Sequence, residues 1–308
     1  MARKLKSTNS IKEYNIEQLE NDFIKDCKIR GLSDVTIRGY KTNIGYFKKY
    51  LEKTGIKLSD LSYDSIKEYN IYLMNNTNRN VTSINTLLRH LSTFLKYGYE
   101  NSYILEPLKV RYLKPYQEPK RIYTDDEIKK LLEKPNINSC SYATFRNYCI
   151  IMMLITTGIR RTSLINIKLD DVDYQQNVIR LTHTKNKQVH YVSMTNSLKS
   201  CLKEWLKFRV ANNNDYLFTT QEGTQLKASS LTNSIYCYCK SKGIGTTSIH
   251  SFRHYYSIKY MQQGGNIFML SKLLGHSNIG ITENYLKSLD KISYVKNNSF
   301  DIFDTIGE

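Results

Sequence analysis

The sequence predicts a mainly α chain of two domains, a four-helix bundle followed by an α-rich domain with a small antiparallel β-sheet. Three observations predict it. Apolar residues recur at three- and four-residue steps through the first hundred positions, three of the four prolines crowd into residues 106–120, and two strand-like runs flank a polar, basic turn in the second half. The length of 308 residues suits two domains at ~150 residues each.

Ile16, Leu19, Phe23 and Cys27 share one face of a first helix, which Gly31 ends. Ser33 or Asp34 can cap the second, whose stripe is Ile37, Tyr40, Ile44, Phe47 and Leu51. A third helix is expected from about Asp64 to Leu73. A fourth runs from about Thr82 to Tyr97, with Ile84, Leu87, Leu88, Leu91 and Leu95 on one side. Short polar turns join them, so residues 13–105 read as a compact bundle. Proline stiffens a chain and stops helices, which makes 106–120 the linker. Thr124 and Glu127 then form a capping box at the start of the second domain, residues 121–289. Helices follow near 125–134 and 143–157, the latter closed by Gly158. Strands are expected at 178–182 and 189–193, joined through a cationic tip from His183 to Gln188. Further helices fit 196–210, 229–241, 250–263, 266–274 and 280–288. The tail, 290–308, is apolar and acidic, unlike what precedes it.

Charge narrows the function. Lys and Arg number 45 against 28 Asp and Glu, a net +17. The excess is shared, 21 against 13 through residue 120 and 24 against 15 after it. A polyanion touched by both halves is therefore expected, and nucleic acid is the usual one. The longest aliphatic run, Cys149 to Ile155, is too short to span a bilayer, and no apolar stretch follows the basic N-terminus. A membrane or exported protein is thereby excluded. Six cysteines lack C-x-x-C spacing, so neither disulfides nor zinc are expected, and a reducing cytoplasm fits.

Ordinary enzyme signatures are missing: no P-loop, no dinucleotide-binding glycines, no G-x-S-x-G, no H-E-x-x-H. The pairs Asp125-Asp126 and Asp170-Asp171 read as capping and surface residues. One segment stands out. His250, Arg253 and His254 fall at spacings of three and four, on one face of a helix they open. A guanidinium fork suits two phosphate oxygens, and an imidazole beside it can give or take a proton. Arg160 and Arg161 follow a helix ending at Gly158, Leu274-Gly-His276 ends another, the hairpin tip carries Lys185 and Lys187, and the last short helix carries Tyr285. Each feature is weak alone.

Their order is informative: Arg, Lys on a hairpin tip, His-x-x-Arg, Leu-Gly-His, then Tyr nine residues on. In this the chain resembles the tyrosine recombinase (phage integrase) family. Thr157-Gly-Ile-Arg160 resembles its first arginine box, Thr184-Lys-Asn-Lys187 its lysine hairpin, and Glu283-Asn-Tyr285 has its spacing. Ser33, Thr36, Tyr40 and Phe47, with the helix from Val81, resemble its SAM-like core-binding domain. The likeness covers roughly residues 13–290.

The resemblance implies a two-domain clamp, a SAM-like bundle plus a catalytic domain, that cleaves and rejoins duplex DNA without metal, ATP or other cofactor. Tyr285 would attack the phosphodiester to give a 3′-phosphotyrosyl link. Arg160, Arg253 and His276 would hold phosphate oxygens, Lys185 would protonate the leaving 5′-oxygen, and His250 would help accept the tyrosyl proton. The partners implied are two short inverted-repeat core sites in double-stranded DNA and a homotetramer assembled on them, with an accessory DNA-bending or directionality protein an open option. The little sequence ahead of residue 13 predicts no arm-site-binding domain. The tail would pack on a neighbouring subunit or, as the alternative, on itself.

Two departures matter. The family usually carries an acid three residues after the first arginine, where this chain has Ser163, which leaves the support of Arg160 open. Arg161 competes with Arg160, and Lys187 with Lys185. Three rival readings share parts of the pattern: a silent DNA-binding protein, a type IB topoisomerase, and a metal hydrolase using His250, His254 and His276.

Overall fold

The computed structural model describes residues 15–114, 121–183, 188–245, 248–276 and 278–286, the side chains of 284–286 excepted. Its contacts divide the chain into two units, at residue 118.

The first unit holds α1 (Ile16–Ile29), α2 (Asp34–Thr54), α3 (Tyr63–Asn76) and α4 (Val81–Glu100). Each start is capped from the sequence just ahead: Asn15, Ser33, Ser62 and Asn80 accept a backbone N–H from the first turn. The apolar stripes meet in a core around Phe23, Phe47, Tyr69, Leu88 and Phe94. Phe23 packs edge-on against Tyr40 and Phe94, with ring centroids 5.1 and 5.4 Å away. Residues 106–114 run along this bundle, which the proline count alone does not foretell. Asn70 donates to the Arg111 carbonyl, Asn85 exchanges two hydrogen bonds with Leu113, and Val110 is buried.

The second unit is built around α6 (Tyr142–Thr157), buried along most of its length, with Cys149, Ile150, Ile151 and Met153 fully buried. Ahead of it lies α5 (Asp125–Leu131), opened by the Thr124–Glu127 capping box. After it come α7 (Arg161–Leu164), the strands β1 (Val172–Asp173), β2 (Val178–Leu181) and β3 (His190–Ser193), and α8 (Asn196–Phe208). The chain continues through α9 (Ala228–Ser241), α10 (His250–Gln262), α11 (Ile267–Leu273) and α12 (Ile279–Leu286). The sheet is antiparallel in the order β1-β2-β3, with Val178 opposite Ser193 and Leu181 opposite His190. Both hairpin strands stand where alternation places them. The third strand, β1, has two residues and leaves no period to read.

Arg146 and Asn147, buried on α6, donate to Thr219 and Ser234 and so fix α6 against α9. Asp171 corrects the surface reading of its pair. It is buried, accepting from the Lys168 backbone and from Arg180 Nε at 3.0 Å. Cys149 is the buried thiol expected, pushed up by its contact with the Cys201 thiol and by burial. Among the described residues no helix is long and apolar enough to cross a membrane.

Candidate active site

The site begins where α6 stops. Gly158 takes the left-handed conformation, φ +60°, and its N–H caps Leu154. A Cβ there would meet Tyr256 at 2.6 Å and Leu274 at 2.9 Å, so glycine permits both the turn and the close approach of α10 and α11. The turn delivers Arg160 to one wall of a cavity of about 420 Å³, whose other walls are Arg253, β3 and the Lys272–His276 segment.

Arg253 is almost wholly buried, 2% exposed. Its Nη1 donates to the Gly158 carbonyl at 2.8 Å, and its Nη2 reaches the Leu274 carbonyl and His276 Nε2, each at 2.7 Å. Arg160 donates from both terminal nitrogens to the Gly275 carbonyl at 3.3 Å. Two cations thus hold the same loop, and the loop holds His276. Arg161 turns away, exposed, and donates to Thr232 on α9. Of the two adjacent guanidiniums, Arg160 faces the cavity.

Ser163 is buried and donates its hydroxyl proton to the His183 carbonyl at 2.8 Å. A carboxylate at 163 has no proton to give that carbonyl. The serine therefore ties the Arg160 turn to the base of the hairpin, and the Gly275 carbonyl takes the guanidinium. On β3, His190 Nε2 donates to the Leu273 carbonyl at 2.8 Å, and its ring lies under Gly275. The hairpin is fastened at both edges of the cavity.

His250 opens α10, exposed, its ring edge-on to His254 at 5.5 Å, and Arg253 on the same helix is buried. Spaced by three and four on one helix, the three share the face expected of them, and His250 and Arg253 both act on His276. Lys185 lies outside the described residues, as do the side chain of Tyr285 and the tail 290–308. The backbone at residue 285 belongs to α12.

No carboxylate lines the cavity among the described residues, whereas Arg160, Arg253 and Lys272 do. His276 registers this field. Burial first, then Arg253, Arg160 and His250, push it down to about 3, so it is neutral at physiological pH. An unfolded histidine titrates near its ordinary 6.5, so between these values the unfolded chain holds the extra proton. Stability is complete above pH 6.5 and drains as pH falls toward 3. Melting temperatures recorded from pH 7.5 to 4.5 should fall, and His276→Gln should flatten the fall; an unchanged slope would remove His276 as its source. Among the described residues no group of three or more His, Cys, Asp or Glu stands together as a metal site.

The supporting residues His190 and Thr282 carry no mark in the sequence, and Ser163 reads there only as the loss of an acid. A histidine in a hairpin strand or a threonine in a short helix carries no local mark of its partner, and both partners here lie across the fold or across a turn.

A basic chain whose second unit holds a cationic cavity beside a hairpin, with no carboxylate among the described residues of its lining, is built to hold an anion. The chain belongs to the phage integrase family, whose profile matches residues 121–291, while the phage integrase SAM-like domain matches residues 16–112. It is 28% identical over 268 residues to a tyrosine recombinase of Pseudothermotoga lettingae, covering 85% of this chain and 91% of that protein. It is 24% identical over 284 residues to tyrosine recombinase XerC of Staphylococcus epidermidis, covering 88% and 92%. In fold it is similar to the Tn1549 transposon integrase in complex with circular intermediate DNA, with TM-score 0.73, 19% identity, and 93% and 99% of the two chains covered. A lambda integrase tetramer bound to a Holliday junction gives TM-score 0.69 at 16% identity, covering 88% and 80%.

Proposed function

We propose that this protein is a site-specific DNA recombinase that cleaves and rejoins duplex DNA through a 3′-phosphotyrosyl intermediate. The observation that carries the reading is the cavity lined by Arg160, Arg253 and His276, with no carboxylate on its lining among the described residues. In-line attack on a phosphodiester adds negative charge to the phosphoryl oxygens, and fixed cations stabilise that charge without reorganising.

Tyr285 supplies the nucleophile. Its Oη–phosphorus bond forms as the bond from phosphorus to the 5′-oxygen breaks. His250 helps take the phenolic proton, and Lys185 gives one to the leaving 5′-oxygen. Arg160 and Arg253 hold two phosphate oxygens. The incoming anion displaces the His276 lone pair as acceptor from Arg253; with a proton taken from solvent, His276 then donates to the phosphate. The phosphodiester energy is kept in the protein–DNA link, so attack by a 5′-hydroxyl rejoins the strand without ATP.

Residues 13–105 act as the core-binding domain and 121–289 as the catalytic domain, with 106–120 between them. Exchange between two duplexes takes two cleavages on each, hence four subunits on two inverted-repeat core sites, an assembly like the one the lambda integrase tetramer makes on its junction. Such work belongs in the cytoplasm, on the nucleoid.

Covalent capture tests the reading. Duplexes with a randomised centre and a strand nick, incubated with the protein in EDTA, should yield an adduct that survives SDS, and the recovered DNA should converge on one core sequence. Tight binding with no adduct from any duplex would leave a DNA-binding protein and sink the recombinase.

A further inference from the structure

Thr282 lies on α12 and is fully buried. Its hydroxyl stands 2.8 Å from His276 Nδ1, while the opposite ring nitrogen, Nε2, stands 2.7 Å from Arg253 Nη2. A guanidinium can only donate, so Nε2 presents its lone pair there. The ring proton therefore sits on Nδ1 and is donated to Thr282 Oγ1. We infer that Thr282 is a positioning residue of the recombinase site: its hydroxyl holds His276 in the Nδ1–H form, aims Nε2 into the cationic cavity, and ties the ring to the helix that carries position 285. This rests on the recombinase reading and deepens it.

The chemistry favours a hydroxyl at this place. When a phosphate enters and His276 gains a proton at Nε2, the Nδ1–H bond to Thr282 is unchanged. One acceptor thus serves both charge states, and the ring need not turn between them. Among the described residues, Arg253 and His250 of α10 and Arg160 of the turn before α7 also act on the ring. None of them offers Nδ1 an anionic acceptor. A buried hydroxyl meets the need without adding a carboxylate that would oppose the phosphate. The link also has mechanical meaning. Thr282 sits three residues before Tyr285, under one helical turn, so a contact that fixes His276 also fixes α12 beside it.

Valine copies the shape of threonine and lacks the oxygen; serine keeps the oxygen and lacks the methyl. The experiment compares wild type, Thr282→Val and Thr282→Ser. Long-range ¹⁵N spectra of histidine-labelled protein, with His276 assigned from the His276→Gln spectrum, read the tautomer without reference to activity. Adduct formation on a nicked duplex recovered by covalent capture, at saturating DNA, reads the chemical step, and a binding titration with that duplex reads affinity. Wild type and Thr282→Ser should show Nδ1–H at His276. Thr282→Val should shift the His276 Nδ1 resonance away from its hydrogen-bonded position and form adduct at least tenfold more slowly, with serine within threefold of wild type and DNA affinity within twofold for all three.

An Nε2–H tautomer in the wild type would overturn the inference, and so would a valine variant as fast as wild type. Serine no better than valine would reduce Thr282 to packing. If valine prevents folding, the wild-type spectrum and the serine rate still decide. A wild type that forms no adduct with any duplex would instead defeat the recombinase reading, whatever its histidine spectrum shows.

Discussion

Tyr285→Phe is expected to bind DNA within about twofold of wild type and to form no SDS-stable adduct. Binding rests on phosphate contacts by a chain of net charge +17, and removing one hydroxyl changes none of that charge. Chemistry rests on the oxygen itself. A free phenol has a pKa of about 10, so a tyrosyl nucleophile must work where cations favour its anion. Position 285 belongs to α12, the helix whose Thr282 contacts His276, and His276 in turn touches Arg253. Phenylalanine has the size of tyrosine and lacks the oxygen proposed to react. Gel-shift titration and denaturing gels of the same reactions check both halves. Adduct persisting above one part in a hundred of wild type would mean that another residue attacks.

Arg253→Ala should lower the cleavage rate by a factor of about 10³ or more, because loss of one such preorganised donor alone typically costs about 10² to 10³. More than one donor goes here. Arg253 also holds the Gly158 and Leu274 carbonyls and His276 Nε2, so its loss frees the turn after α6 and the loop after α11 together. Leaving buried carbonyls unpaired costs about 1–3 kcal/mol apiece, so the variant should also melt earlier at neutral pH. Arg253→Lys separates charge from geometry. A lysine keeps the cation but cannot span two carbonyls and a phosphate with one planar fork, so it should recover less than tenfold of the lost rate. Single-turnover cleavage of a nicked core-site duplex checks both. Full recovery by lysine would show that charge alone suffices.

Much of this molecule is legible in its sequence because the governing physics is local. Caps at Ser33 and Thr124 sit one residue before the helices they start, and the stripe from Ile84 to Leu95 shows its buried face directly. Gly158 announces a left-handed stop. The order of Arg160, Arg253 and His276 is equally visible, since each lies at an element boundary that can be read. Other parts are invisible for physical reasons. Helix α7 is a single turn, and β1 has two residues, too short for any period. Ser163 reads as the loss of an acid; only the fold reveals that its partner is a carbonyl twenty residues away. His190 meets Leu273 across 83 positions, and Asp171 seems exposed until Arg180 comes round on β2 to cover it. Residues 106–114 look free because prolines crowd nearby, yet two buried asparagines of the bundle hold them.

The most direct measurement is the covalent linkage itself. Adduct formed on a core-site duplex is digested with trypsin and nuclease, the nucleotide-bearing peptide is sequenced by mass spectrometry, and the released DNA end is tested as a kinase substrate. A single modified residue is expected, Tyr285, joined to a 3′-phosphate, with a free 5′-hydroxyl that takes label without prior dephosphorylation. A nucleotide on any other side chain, or a link through a 5′-phosphate, would contradict it.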